Sequence, residues 1–254
     1  MTDIILTGCN GRMGRAICET VSSSDAFRII AGVDLNNSPA ADFHVYTDIN
    51  GIEKPSGVII DFSHHTLIGQ ILDFALKHSL PVVVATTAHT EDELALIKEA
   101  SKKIPVFKTA NMSLGINLLI ELAKKASELL QDDFDIEIIE KHHNQKLDAP
   151  SGTALLIADA LKDSLNYDAE YTYERHSKRE KRRHEEIGIH AVRGGTIVGE
   201  HEVIFAGPDE LVTLSHRADS RRVFVKGALN AAEYLKDKAP GMYDMSKMLA
   251  EKLS

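Results

Sequence analysis

The stretch Glu140-Lys141-His142-His143-Asn144-Gln145-Lys146-Leu147-Asp148-Ala149-Pro150-Ser151-Gly152-Thr153-Ala154 concentrates proton donors and anion-binding groups. His142 and Lys146 can supply protons near neutral pH, and a lysine beside a carboxylate also adds charge pairing. Pro150 breaks the backbone that precedes it, Ser151 is placed to cap a helix, and the amides of Gly152 and Thr153 then point at an anion. A carboxylate is the natural guest. An acid beside such a site suits reduction of an imine or enamine, which needs a proton as well as a hydride. Zinc is the competing use of the histidines. Adjacent His residues on an extended backbone face opposite ways, and no nearby Cys or His completes a four-ligand set, so no metal is expected.

A place for a hydride carrier lies near the start of the chain. Gly8-Cys9-Asn10-Gly11-Arg12-Met13-Gly14 follows a strand-like run and opens a helix reaching about Val21. Glycines there permit a tight turn and let backbone amides approach a pyrophosphate, whose charge the positive helix end stabilises. The spacing is GxxGxxG rather than GxGxxG, and Asp34, twenty residues beyond Gly14 in Ala31-Gly32-Val33-Asp34, strengthens it. A carboxylate there accepts from the adenosine ribose hydroxyls and repels a 2′-phosphate, which Leu35-Asn36-Asn37 does nothing to offset. NADH is therefore the expected cofactor, with NADPH possible because Arg12 can reach that phosphate. Strand ends at Asp61-Phe62-Ser63, Ala85-Thr86-Thr87 and Thr109-Ala110-Asn111-Met112 are expected to line the nicotinamide crevice.

These groups need two scaffolds. Residues 1–110 alternate β-branched runs with helix-like segments, the rhythm of βαβ units around a parallel sheet. Strands are expected at 4–7, 28–33, 58–62, 81–86 and 105–109, and Thr90 with Glu93 makes a capping box for a helix running to Ala100. After Asn111 the rhythm changes. An apolar helix over 114–130 leads into the strict alternation of 134–138; then follow a helix over 153–165 and strands near 186–192, 196–205 and 210–217, read as a mixed or antiparallel sheet. The fold class is thus α/β, a Rossmann-like dinucleotide-binding domain over 1–112 plus an α+β substrate and oligomerisation domain over 113–221. A final helix over 222–236 is expected to return to the first domain.

The whole-chain numbers set bounds on function. At 254 residues, 43% hydrophobic and 26% charged, the chain is long enough for two modest cores. A formal net charge of −9 argues against nucleic-acid or anionic-membrane binding, and an anionic ligand needs a local basic pocket. Only two cysteines, Cys9 and Cys18, occur, so a reducing compartment fits. No apolar stretch approaches about 18 residues and no leader pattern precedes Ile4, which reads as cytoplasmic. The one strongly basic run, residues 175–183, is expected as a solvated loop, its alternative being a basic wall near a polyanionic ligand.

Residues 140–154 closely resemble the dihydrodipicolinate reductase family, whose hallmark is E-x-H-H-x-x-K-x-D-A-P-S-G-T-A. The likeness extends to the GxxGxMG loop, Asp34, Ala110-Asn111-Met112-Ser113-Leu114-Gly115, Val198-Gly199-Glu200-His201, Ser220-Arg221, Gly227-Ala228 and Gly241-Met242-Tyr243-Asp244-Met245. It implies reduction of 4-hydroxytetrahydrodipicolinate to tetrahydrodipicolinate by NAD(P)H, with loss of water, in the diaminopimelate route to lysine. By this resemblance His142 donates and accepts the proton and Lys146 is its partner, while His143, Ser151, Gly152 and Thr153 hold the substrate. The cofactor falls to Gly8, Cys9, Asn10, Gly11, Arg12, Met13, Gly14, Asp34, Ala85, Thr86, Thr87, Ala110, Asn111, Met112 and Ser113. A homotetramer built through the mixed sheets, and closure between domains during turnover, are also implied. Two departures stand out: Ala85 and Ala88 replace the usual glycines of Gly-Thr-Thr-Gly, and Leu35 replaces a basic residue. Rival readings are less well served. A semialdehyde dehydrogenase needs a thiol in its second domain; a non-catalytic NAD sensor, or another small-substrate NAD-dependent dehydrogenase, does not call for this His-Lys pair beside an anion-binding helix start.

Overall fold

The computed structural model describes residues 1–38 and 42–253. The chain divides into two compact units, residues 1–112 with 222–254, and residues 113–221.

The first unit is a seven-stranded parallel sheet. Its strands are β1 (Thr2–Thr7), β2 (Phe27–Val33), β3 (Val45–Tyr46), β4 (Val58–Asp61), β5 (Val82–Val84), β6 (Pro105–Lys108) and the late strand β12 (Gly241–Tyr243). They lie in the order β12-β6-β5-β4-β1-β2-β3. Helix α1 (Arg12–Val21) follows β1, α2 (Ile68–His78) follows β4 and α3 (Glu91–Ser101) follows β5. Helices α6 (Arg222–Leu235) and α7 (Met245–Leu253) come last. Ile5, Ile59, Val82 and Val84 cluster with Ile71, Phe74 and Ile97 of α2 and α3, while Ile4, Leu6, Ile60 and Val83 alternate to the opposite face and are equally sealed. That second face is covered by α1 and α6, which touch each other. The strand order reverses between β1 and β4, the topological switch point where open α/β sheets place their ligands.

The second unit is a mixed five-stranded sheet with two helices on one side. Its elements are α4 (Leu114–Leu130), β7 (Asp135–His142), α5 (Gly152–Lys162), β8 (Glu170–Thr172), β9 (Glu186–Arg193), β10 (Gly199–Ala206) and β11 (Leu211–Ala218). The order is β11-β10-β7-β9-β8, antiparallel at β10 and parallel from β7 to β8. Ile136, Ile138, Val203 and Phe205 pack against Ile116, Ile120, Ile157 and Leu161 of the helices.

Several boundaries differ from the sequence reading. The strand expected to end at Ile138 runs on to His142, because pairing with both β9 and β10 carries charged residues that break the apolar alternation. The strand expected over 81–86 shrinks to Val82–Val84. The helix over 222–236 is not the last element, since β12 and α7 follow; strands β3, β8 and β12 have two or three residues each, too few to show a period. The basic run is not a free loop throughout. Arg175 reaches Glu137 at 2.8 Å, Arg182 reaches Asp135 at 2.7 Å and Glu137 at 3.1 Å, and Arg183 pairs with Glu170 and Glu186; Lys178, Arg179 and Lys181 stay exposed. Among the described residues no helix is long and apolar enough to cross a membrane.

Candidate active site

In the first unit the glycine loop sits directly on the switch point. Gly8 has φ 73°, and a Cβ on it would lie 2.4 Å from the Phe62 carbonyl oxygen at the end of β4. A Cβ on Gly14, inside α1, would lie 2.2 Å from the Gly8 carbonyl oxygen. Only bare backbone fits at both places, so the loop is drawn tight over the opening turn of α1. Gly11 is the N-cap of α1 and has no side chain to occupy the free amides, which leaves them for an anion. Cys9 is sealed in the core, so it serves the loop through its backbone, whereas Asn10 uses both backbone and side chain. The Asn10 amide donates to Asp34 Oδ2 at 2.9 Å, and its side chain bridges the carbonyls of Asn36 (2.5 Å) and Ser38 (3.1 Å).

A cavity of about 670 Å³ opens beside this loop. It is lined by Arg12 and Met13 and by the strand-end residues Ala85, Thr86, Thr87, Ala110, Asn111 and Met112. A second cavity, of about 220 Å³, is lined by Gly8, Asp34 and Leu35. The structure adds two residues that the sequence reading passed over and sharpens the part of two that it named, Asp61 and Ala88. His64 and His65 line the larger cavity, His65 held by Glu93 at 2.9 Å. Fully buried Asp61 accepts from Thr7 Oγ1 at 2.6 Å and from the Ser63 amide at 2.9 Å, tying the ends of β1 and β4 together. Ala88 also lines the cavity, with φ 63°. An L residue held left-handed there costs about 1 kcal/mol, which is the physical reason a glycine suits the position. Ser113 lies outside this cavity. It is 1% exposed and caps α4, its hydroxyl accepting from the Ile116 amide at 3.3 Å.

In the second unit β7 delivers His142 at its last position. Residues two apart on a strand share a face, so Glu140 lies beside it, and cross-strand pairing adds Arg193 opposite His142 and the row Glu140, His201, His216. His142 Nδ1 lies 2.6 Å from Glu140 Oε2. Glu140 has no exposed side-chain surface and is saturated with donors: Arg193 reaches both oxygens at 2.7 and 2.8 Å, and the Ser151 amide reaches Oε1 at 3.0 Å. Burial would raise this carboxyl, but Arg193, His142 and the Ser151 amide outweigh it and hold Glu140 below the usual carboxylate range. His142 Nε2 makes no hydrogen bond among the described residues. Gly199 keeps it clear, since a Cβ there would lie 3.1 Å away.

The loop after β7 returns to the same place. Arg193 also donates to the Asp148 carbonyl at 2.6 Å, and Lys146 Nζ pairs with the Asp148 carboxylate at 2.9 Å. Lys146 holds Asp148 below its ordinary range. Ser151 is the N-cap of α5, accepting from the Ala154 amide at 3.2 Å, and Gly152 and Thr153 are the first two helical residues, the Gly152 amide donating to Asp148. Lys146, Gly152 and Thr153 thus share one short loop and helix start next to His142. His143 follows β7 directly, and its carbonyl accepts from the Lys146 amide at 3.2 Å. Glu140, Arg193 and His201 were missed as site residues. The signal for Glu140 was its i, i+2 spacing from His142, legible once the strand is extended past Ile138.

Residues 2–112 match the family model described as dihydrodipicolinate reductase, N-terminus, and residues 115–249 the one described as dihydrodipicolinate reductase, C-terminus. The chain belongs to the dihydrodipicolinate reductase family. It is an oxidoreductase of the diaminopimelate route to lysine, and its first unit carries the family's nucleotide-binding domain. Similar curated proteins include the 4-hydroxy-tetrahydrodipicolinate reductases of Caldanaerobacter subterraneus subsp. tengcongensis, 53% identical over 98% of each chain, and of Clostridium tetani, 49% identical over 98% of this chain and 97% of that one. Among solved structures, a dipicolinate-bound dihydrodipicolinate reductase from Paenisporosarcina sp. TG-14 aligns with a TM-score of 0.81 over 96% of this chain and 97% of its own, at 24% identity. A probable dehydrogenase from Thermotoga maritima aligns at 0.62 and 12% identity over 96% and 91%. These two likenesses speak to the fold.

His201, beneath the site, gives a pH test. Burial first, and His142 second, push its imidazole from 6.5 down to about 4, and its Nε2 lies 3.2 Å from Ser151 Oγ. A histidine with a lowered folded-state pKa takes its proton more readily when unfolded. It therefore costs nothing above about 6.5 and removes stability as pH falls from there toward 4, by roughly 3 kcal/mol at most. Urea unfolding at the two ends of that window should show a smaller acid loss in His201→Asn than in wild type; equal losses contradict the assignment.

Proposed function

We propose that the chain reduces 4-hydroxy-tetrahydrodipicolinate to tetrahydrodipicolinate with His142 as the acid, Lys146 and the start of α5 as the carboxylate site, and NADH as the favoured reductant. One observation carries the reading. His142 has Nδ1 tied to a buried carboxylate and Nε2 without a hydrogen-bond partner among the described residues, and the same carboxylate takes the Ser151 amide at the start of α5, where Lys146 pairs with Asp148 on the connecting loop.

The cofactor's pyrophosphate is assigned to the opening amides of α1, from Arg12 to Gly14, under the glycine loop, and its ribose to Asp34; Ala85 to Thr87 and Ala110 to Met112 border the nicotinamide. When bound, the reduced nicotinamide supplies the hydride. The 4-hydroxyl leaves as water with a proton from the adjacent ring carbon, which opens a conjugated double bond; the ring that then takes up hydride gains an electron pair, and one proton completes the reduction. His142 in its cationic form holds that proton at Nε2, and Glu140 stabilises the cation until it is released. Lys146 exchanges Asp148 for a ring carboxylate. The exchange is inexpensive because the Asp148 side chain is 57% exposed and regains water when released. The amides of Gly152 and Thr153 share that carboxylate, and His143 lies on the side of the second. Dipicolinate, the planar aromatic dicarboxylate, presents the same two carboxylates and suits this site as an inert analogue.

NADH preference is supported by charge. Asp34 and Leu35 border the smaller cavity, whereas Arg12 borders the larger one, so among the described residues no Lys or Arg lines the smaller cavity beside Asp34. We also propose the cytoplasm as the place of action, with the pathway's soluble intermediates, and a homotetramer assembled through the face of the second sheet that α4 and α5 leave uncovered. There Ile139 and Ile204 are partly exposed and Val192 is 44% exposed; sedimentation equilibrium of the purified chain tests the assembly.

Two measurements test the chemistry. His142→Gln should lower kcat about 10²- to 10⁴-fold and leave NADH affinity unchanged, and wild-type turnover in that variant removes His142 from the role. Fluorescence titration should show NADH binding more tightly than NADPH, the gap narrowing in Asp34→Ala. Equal affinities in the wild type contradict the charge argument.

A further inference from the structure

Glu140 offers more than a counter-charge to the proposed acid. Its carboxylate receives four donors in a fixed arrangement. Oε1 takes the Ser151 amide at 3.0 Å and Arg193 Nη2 at 2.7 Å; Oε2 takes His142 Nδ1 at 2.6 Å and Arg193 Nη1 at 2.8 Å. Arg193 stands opposite His142 in the β7–β9 register, so the planar guanidinium reaches along the sheet face and grips both oxygens at once. A carboxylate so held cannot turn, and an ionised carboxylate only accepts. His142 Nδ1 must therefore carry a hydrogen. The neutral ring then has its lone pair at Nε2, the nitrogen that Gly199 leaves room for and that no group among the described residues engages in a hydrogen bond.

We propose that Glu140, locked by Arg193, is a positioning residue that fixes the tautomer and orientation of His142, so that Nε2 is the nitrogen that takes and gives the proton. The proposal rests on the reading of His142 as the acid. It assigns the reaction a dependence on two residues, Glu140 and Arg193, neither of which need touch substrate or cofactor.

The consequence of Glu140→Gln follows from counting donors. A glutamine has one acceptor oxygen and one NH2 group. If its oxygen takes the Oε1 place it keeps both the Ser151 amide and Arg193 Nη2, and its NH2 then faces His142 Nδ1. The reverse placement sets NH2 against two donors and is worse. In the favoured placement Nδ1 has to accept, the ring proton moves to Nε2, and the cationic acid is opposed by an N–H aimed at Nδ1. A wrong tautomer of this kind is worth several powers of ten in serine proteases, where an Asp-to-Asn change beside the catalytic histidine drops kcat about 10⁴-fold.

The test is ¹⁵N NMR of histidine-labelled protein, with the His142 signals assigned by their loss in His142→Gln. At a pH where the ring is neutral, wild-type His142 should show the hydrogen on Nδ1 and Glu140→Gln should show it on Nε2. Turnover of Glu140→Gln should fall about 10²-fold or more, with NADH affinity unchanged. A purely structural role for Glu140 would lower turnover without moving the hydrogen, and that result overturns the proposal, as does wild-type turnover in Glu140→Gln. Should Glu140→Gln fail to fold, the wild-type spectrum alone decides, because a neutral His142 with its hydrogen on Nε2 contradicts the arrangement. If His142→Gln keeps full turnover, it is the acid assignment that falls, and the tautomer shift still reports on Glu140.

Discussion

A charge with no exposed surface has to be answered inside the protein, and the buried carboxylate of Glu140 organises everything around it in the second unit. Taking an ion out of water costs several kcal/mol, and removing one partner of a buried pair typically costs about 3–5 kcal/mol. Glu140 meets that cost by collecting its donors from three elements: His142 from its own strand, Arg193 from β9, and the Ser151 amide from the start of α5. The electrostatic need of one side chain thereby sets where the imidazole points and where the helix begins. Arg193 extends the same constraint to the loop, through the Asp148 carbonyl, and so to Lys146.

The first unit solves a related problem with a different carboxylate. Asp61 is equally sealed, and it takes the Thr7 hydroxyl and the Ser63 amide, joining the carboxyl ends of β1 and β4. Those two ends define the switch point, and the glycine loop crosses it with bare backbone because neither Gly8 nor Gly14 has room for a Cβ. In both units a buried acid fixes strand ends, and the groups assigned to binding or chemistry are the neighbours thus immobilised.

Much of this was legible in the chain itself. The glycine loop, Asp34 and the Ser151 cap follow from local rules about turns, helix ends and anions, and those rules act over a few residues. The α/β class followed from the alternation of strand and helix patterns. The ends of β7 did not follow, because Glu140-Lys141-His142 breaks the apolar period and is held in the sheet only by neighbours far along the chain. The same cause hid Glu140 as a site residue, and Arg193 and His201 are brought there by strand pairing that sequence periodicity does not encode. Strands β3, β8 and β12 are too short to carry a period. Ser113, assigned to the cofactor by its place in a motif, also caps α4, a role its residue type equally allows. The basic run showed only its net charge, while the acids that hold Arg175, Arg182 and Arg183 lie in strands β7, β8 and β9.

The central claim is that the second unit holds a ring dicarboxylate between Lys146 and the start of α5, with His142 Nε2 on the ring. A crystal structure of the chain with NADH and dipicolinate tests it most directly. The account predicts one carboxylate within hydrogen-bond distance of Lys146 Nζ and of the Gly152 and Thr153 amides, Asp148 released, and His142 Nδ1 still on Glu140. A dicarboxylate bound away from α5, with Lys146 still paired to Asp148, would contradict it.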